Sequence, residues 1–192
     1  MTKRSTDGGR EKVVAAARML FEQRGFHQTA MSELSERAGV SVGQIYRLFA
    51  SKSEMILAII HEDTEAKLVR FGLIRADLEA GRITAREALR RLAAEALAHE
   101  QQALTFEILA EGFRNPRTGD EIGQFCDRYR GALSALIRAA AGEMEPGRLA
   151  AAEEVLMGLL FGLGNRALCR PRLGPEETAD FAADMMVAML RG

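Results

Sequence analysis

Between Ser41 and Phe49 the chain reads SVGQIYRLF, a short segment whose polar residues share one arc. At helical three- and four-residue steps Val42, Ile45 and Phe49 turn inward, with Leu48 alongside. Gly43, Gln44, Tyr46 and Arg47 then occupy the opposite arc, which holds no carboxylate. A Gln amide can pair bidentately with adenine, and a phenol or guanidinium can reach phosphate oxygens. Gly43 lets a backbone come close. An ordinary αα-hairpin whose outer face happens to lack acids is the other reading of the same residues.

No other cluster has spacing suited to catalysis. The three His (His27, His61, His99) are too scattered for a metal site built from His alone. His61 and Glu65 stand four apart, but the zincin pattern needs a second His at position 65. There is no G-x-S-x-G elbow and no P-loop; Gly158, Gly162 and Gly164 lie in an apolar run without the Lys–Ser/Thr of phosphate chemistry. They suit close approach of another helix instead. Cys126 and Cys169 read as packing residues. The expectation is a protein that is not an enzyme and uses no cofactor or metal.

Net charge is −1 over 192 residues, yet its distribution is uneven. Residues 1–55 carry nine Lys or Arg against six acids, while the remainder carries an acidic surplus of four. A basic end on an acidic body suits a polyanionic partner. Two Cys exclude a disulfide scaffold and favour a reducing compartment. The longest apolar stretch, Val155–Gly164, is half of what a bilayer requires, and the N-terminus has no apolar signal segment. A cytoplasmic location is therefore expected.

The elements that must position the arc are helices throughout, since Ala, Leu, Glu and Arg dominate and β patterns are nearly absent. A helix over about Arg10–Arg24 buries Val13, Val14, Ala17, Leu20 and Phe21, and Gly25 ends it. Thr29 suits the N-cap of a short helix that stops at Gly39. Ser41 and Gln44 fit a capping box, which would compete with base reading by Gln44. Ser51–Glu54 fits another, opening a long helix over about Lys52–Ala80. Further helices are expected over about Thr84–Glu100, Ala103–Arg114, Asp120–Gly142, Arg148–Leu168 and Pro175–Leu190. The expected fold is all-α, with a helix-turn-helix module over 1–50 and a larger helical body over 51–192.

Residues from about Arg10 to Leu57 resemble the DNA-binding region of the TetR family of transcriptional regulators. The resemblance rests on Ala15–Ala16, Leu20–Phe21, Gly25–Phe26, Thr29, the run AGVSVGQIYRLF and Ser51–Lys52. It implies that Thr29, Tyr46 and Lys52 contact phosphates. Ser41, Val42, Gly43, Gln44 and Arg47 would face the major groove or its walls. Leu48 departs from the His or Tyr that the family often carries before the Phe.

The family architecture further implies a homodimeric repressor, released from a palindromic DNA operator by a small inducer bound in the C-terminal body. Candidate lining residues are Phe71, Phe106, Leu109, Phe113, Tyr129, Leu133, Met157, Phe161 and Asn165, a set that favours a largely apolar ligand. The last two helices would form the dimer interface through Leu156, Leu159, Leu163, Phe181, Met185 and Met189. An architectural or protein-responsive DNA-binding factor without a small-molecule site is the alternative.

Overall fold

The computed structural model describes residues 3–191, with side chains described from Gly8 to Arg191. Among them are nine α-helices and no strand: α1 (Lys3–Arg24), α2 (Met31–Ala38), α3 (Val42–Leu48), α4 (Lys52–Glu79), α5 (Ala85–Leu97), α6 (Gln102–Arg114), α7 (Pro116–Ala141), α8 (Pro146–Gly164) and α9 (Pro175–Arg191). None is long and apolar enough to cross a membrane.

Two boundaries correct the sequence-based expectation at the prolines. Helices α7 and α8 begin on Pro116 and Pro146, several residues and two residues before the expected starts. Proline is at home in the first helical position, where its missing N–H would have no intrahelical acceptor. Glu145 completes the start of α8 by accepting from the N–H groups of Gly147 and Arg148, both at 2.9 Å. These two bonds hold its carboxyl below the usual carboxylate range. At the other end α8 stops at Gly164, short of the expected Leu168, and Arg166–Cys169 form a separate 3-10 turn. Helix α1 starts earlier than expected, at Lys3.

The chain divides into two compact units. The first runs to Thr64 and adds Gln101–Phe125; the second comprises Glu65–Glu100 and Cys126 onward. In the first, Val13, Val14, Ala17 and Phe21 of α1 meet Leu34 of α2, Ile45 of α3 and Met55, Ile56 and Ile59 of α4 in one core. Helix α6 joins it, burying Leu104 to 1% exposure. Carboxylates fasten that helix: Glu22 accepts the Leu104 N–H at 2.6 Å, and Glu107 accepts the Phe26 N–H at 3.2 Å. Buried Glu111 accepts from the Ser53 hydroxyl at 3.0 Å and from the Asn115 amide at 3.2 Å.

The second unit packs Leu89, Leu92 and Ala93 of α5 against Ala179, Ala183 and Met186 of α9, with Leu133, Leu136 and Ile137 of α7 and Leu156 and Leu160 of α8. The alanines of α9 let it lie close to α5. Arg86 reinforces the pair by binding Asp180 and Asp184. Cys126 and Cys169 are both exposed, so neither is the packing residue the sequence suggested.

Candidate nucleic-acid interface

Helices α2 and α3 are joined by a three-residue turn. Gly39 adopts the left-handed conformation there (φ 65°), and its N–H reaches the Glu36 carbonyl. The Val40 N–H bonds to Ser35 O at 3.2 Å, while the Ser35 hydroxyl donates to Val40 O at 2.6 Å. Ser41 then caps α3 as expected, accepting the Gln44 N–H at 3.2 Å. Helix α3 is only seven residues long, too short to persist on propensity alone. Burial holds it: Ile45 is 0% exposed, Phe49 is 2% exposed, and Val40 and Leu48 pack partly against the same core. Arg10 lies over the Phe49 ring at 5.0 Å.

With that face anchored, Ser41, Gly43, Gln44, Tyr46 and Arg47 are exposed and Val42 is half-buried. A side chain at Gly43 would meet open space. The Gln44 amide makes no hydrogen bond among the described residues, so only its backbone N–H serves the cap. The outer arc is thus an exposed, acid-free surface of donors and acceptors, which suits a groove of bases lined by phosphates.

Two residues expected at phosphates are engaged within the chain. Thr29 is 2% exposed, and its hydroxyl donates to Gly25 O at 2.9 Å. It is not the N-cap of α2; Ala30 holds that position, and its N–H bonds to Glu33 at 2.8 Å. Lys52 directs its ammonium to the carbonyls of Phe26 at 2.8 Å, Thr29 at 3.0 Å and His27 at 3.2 Å, over the Phe26 ring. A strongly hydrated point charge with three donors fits three converging carbonyls. These partners lie 23 or more residues away, where spacing gives no hint of them.

The nine expected ligand-lining residues fall in different units. Phe106, Leu109 and Phe113 lie in the first; Phe71, Tyr129, Leu133, Met157, Phe161 and Asn165 lie in the second. The Phe113 ring is 91% exposed, the reverse of the enclosure expected of a lining residue. Leu133 is wholly buried in the core, so it packs rather than lines. Phe71 and Tyr129 are in ring contact at 4.9 Å, and burial pushes the Tyr129 phenol up to about 12. The Asn165 amide donates to Phe161 O at 2.8 Å, while its Oδ1 is buried without a partner among the described residues.

A cleft of about 560 Å³ does occur within the second unit, bordered by Leu89, Met144, Val187, Leu190, Arg148 and Arg191. None of these was among the expected lining residues, because they come together from three helices, α5, α8 and α9, and from the turn carrying Met144. Of the expected interface residues, Leu156 is 0% exposed and belongs to the core, a correction that follows from its inward position on α8. Leu159, Leu163 and Met189 are half-buried, whereas Phe181 and Met185 are exposed. Val155 and Phe161 on α8 are also exposed, and a Cβ at Gly158 or Gly162 would meet nothing. No group of three or more potential metal ligands occurs among the described residues.

Residues 13–59 match the family described as bacterial regulatory proteins, tetR family. The chain is 37% identical over 116 residues to the HTH-type transcriptional regulator UidR of Escherichia coli K12, covering 56% of this chain. That match spans 54%, about half, of the relative's length. Among solved structures, Salmonella enterica GusR superposes with a TM-score of 0.74 at 24% identity, covering 99% of this chain and 97% of that one. The transcriptional regulator FadR of Bacillus subtilis, solved in complex with stearoyl-CoA, gives 0.73 at 16% identity, covering 93% and 98%. At these identities the structural likeness speaks for the fold.

Proposed function

Residues 13–59 match the TetR family of bacterial regulatory proteins, and from that match we propose that the chain is a member of the family and a ligand-responsive DNA-binding transcriptional regulator. The observation that carries this reading is the outer arc of α3. Gln44, Tyr46 and Arg47 are exposed, acid-free and fixed by a buried Ile45. The module over 1–50 reads a palindromic DNA operator as half of a homodimer, with Gln44 and Arg47 at base edges and Tyr46 at phosphates. Repression, with release by an inducer, is the sense in which the family resemblance points. The protein performs no chemistry of its own in this reading.

Dimerisation falls to α8 and α9 through the exposed Val155, Phe161, Phe181 and Met185 beside the open backbone at Gly158 and Gly162. Large apolar side chains grouped on adjoining helices mark interfaces more often than solvated surface. For the inducer, the body over 51–192 offers Phe71, Met157 and Tyr129 with the unpartnered Oδ1 of Asn165, which suits a largely apolar molecule bearing a hydrogen-bond donor. The stearoyl-CoA carried by FadR supports the idea that this fold accommodates such molecules.

The test is selection of bound duplexes from a random pool, followed by Gln44→Ala. On the selected site the variant should lose about 1–3 kcal/mol while random DNA is held as before. Equal loss on both would leave Gln44 no base-reading role. Inducer control is tested by titrating a bound ligand against free protein and against the protein–DNA complex. Linkage requires each to weaken the other, typically 5–150-fold for about 1–3 kcal/mol of coupling, and identical affinities would overturn it.

A further inference from the structure

The helix-turn-helix is bracketed by two arginines from a corner remote in sequence. Arg114 ends α6 and Arg117 lies in the first turn of α7, either side of Asn115–Pro116. The Arg114 guanidinium reaches His27 Nε2 at 3.2 Å, in the loop leading to α2. Arg117, 73% exposed, stands 3.9 Å from Glu54, whose carboxylate accepts the Ala50 N–H just beyond α3. One corner therefore places a cation at the entrance to the helix-turn-helix and another at its exit, all within the first unit. Lys52 adds its charge between them, bonded to carbonyls of the same entry loop.

The neighbouring acids are largely committed inward. Glu107 accepts the Phe26 N–H, and Glu111 is buried on Ser53 and Asn115. Glu54 already accepts a backbone N–H at 2.8 Å, so its 3.9 Å contact leaves the Arg117 fork largely unsatisfied. Asp120, exposed further along α7, is the nearest opposing charge beyond the corner in sequence. A single imidazole nitrogen likewise leaves most donors of the Arg114 guanidinium open, and those planar donors match phosphate oxygens.

We propose that Arg114 and Arg117 contact the DNA phosphate backbone, extending the footprint beyond α2 and α3. This rests on the DNA-binding reading above. Neither residue was singled out by the sequence, which places them more than fifty residues from α3. They supply affinity and register, while the α3 arc supplies sequence choice.

The experiment uses the full chain and a labelled random-sequence 40-base-pair duplex, with affinity measured from 50 to 200 mM KCl. Each lost phosphate contact should lower the magnitude of the log–log salt slope by about 0.9. In the homodimer the double variant R114Q/R117Q removes two contacts from each protomer and should therefore lose about 3.6 units, so its affinity falls about 150-fold less than wild type across that range. R114K/R117K, which keeps the charges, should retain most of the slope, and the control Arg172→Gln, in the second unit, should match wild type. A double Gln variant with the wild-type slope, while Arg47→Gln lowers it, would overturn the proposal and leave the DNA-binding reading intact. Loss of slope in the Lys variant as well, with a lowered melting temperature, would assign both residues to folding. Wild-type protein that binds no duplex at 50 mM salt would overturn both readings.

Discussion

Lys52 shows how a side chain suited to phosphate can be used inside the protein. Its ammonium gathers three carbonyls of the α1–α2 loop, and at two of them the contact is part-buried. Removing a donor from buried carbonyls costs the desolvation of each one left unmatched, about 1–3 kcal/mol. Lys52→Ala should therefore lower the melting temperature and loosen the entry to α2. A phosphate contact alone would instead reduce the salt slope and leave thermal stability unchanged. Calorimetry beside salt titration separates the two, and unchanged stability would return Lys52 to the DNA surface. Thr29 follows the same logic, since its hydroxyl is turned to Gly25 O and away from solvent.

Among the elements, the crossing of α6 and α7 depends on two glycines. A Cβ at Gly119 would lie 2.8 Å from the Gly112 carbonyl oxygen, which is helix backbone and cannot step aside. A Cβ at Gly112 would lie 2.6 Å from Ile122 Cδ1, the far end of a side chain that can rotate. Gly119→Ala should thus cost about 1–3 kcal/mol as an overpacking change, and Gly112→Ala distinctly less. Denaturant melts of the two variants check the order; the reverse order would mean that the helices separate more readily than the Ile122 side chain turns. Because this crossing carries Arg114 and Arg117, Gly119→Ala should also disturb DNA binding. Helix α3 sits at the other extreme. It is held by Ile45, whose change to Ala should cost about 2–5 kcal/mol by opening a cavity.

For the molecule as a whole, association and acid stability are the measurable quantities. Phe181 is 65% exposed and Met185 52% exposed on α9. Phe181→Glu should convert a sedimenting dimer to monomer at micromolar concentration, and a wild-type monomer there would refute the proposed interface. Acid stability should depend on Glu87, whose carboxyl is lowered to about 2 chiefly by hydrogen bonds from Arg90 and Arg91. A lowered carboxylate pKa stabilises the fold above its ordinary value near 4.5, and this is lost as pH falls toward about 2. Glu87→Gln should flatten that part of the stability–pH curve. The change will be small because the side chain is still about one-third exposed, at 31%, and the solvent screens it. A curve identical to wild type would show that the pair contributes nothing in solution.

Some of this organisation is local and was legible in the residues. The buried stripe of α1, the Gly39 turn, the Ser41 cap and the exposed arc of α3 follow from helical periodicity and capping chemistry, which act over three or four positions. The succession of helices was legible for the same reason. Their starts at Pro116 and Pro146 were misplaced because proline ends one helix and opens the next with equal ease. Tertiary structure alone decided that Leu104 completes the core beside α1, that Lys52 turns to the entry loop, and that Leu156 faces inward while Phe113 faces out. It also brought Arg114 and Arg117 to the two ends of the helix-turn-helix. Local spacing fixes which face of a helix is apolar. It does not fix which distant helix meets that face, because that choice depends on how well surfaces far apart in sequence bury one another and satisfy their polar groups.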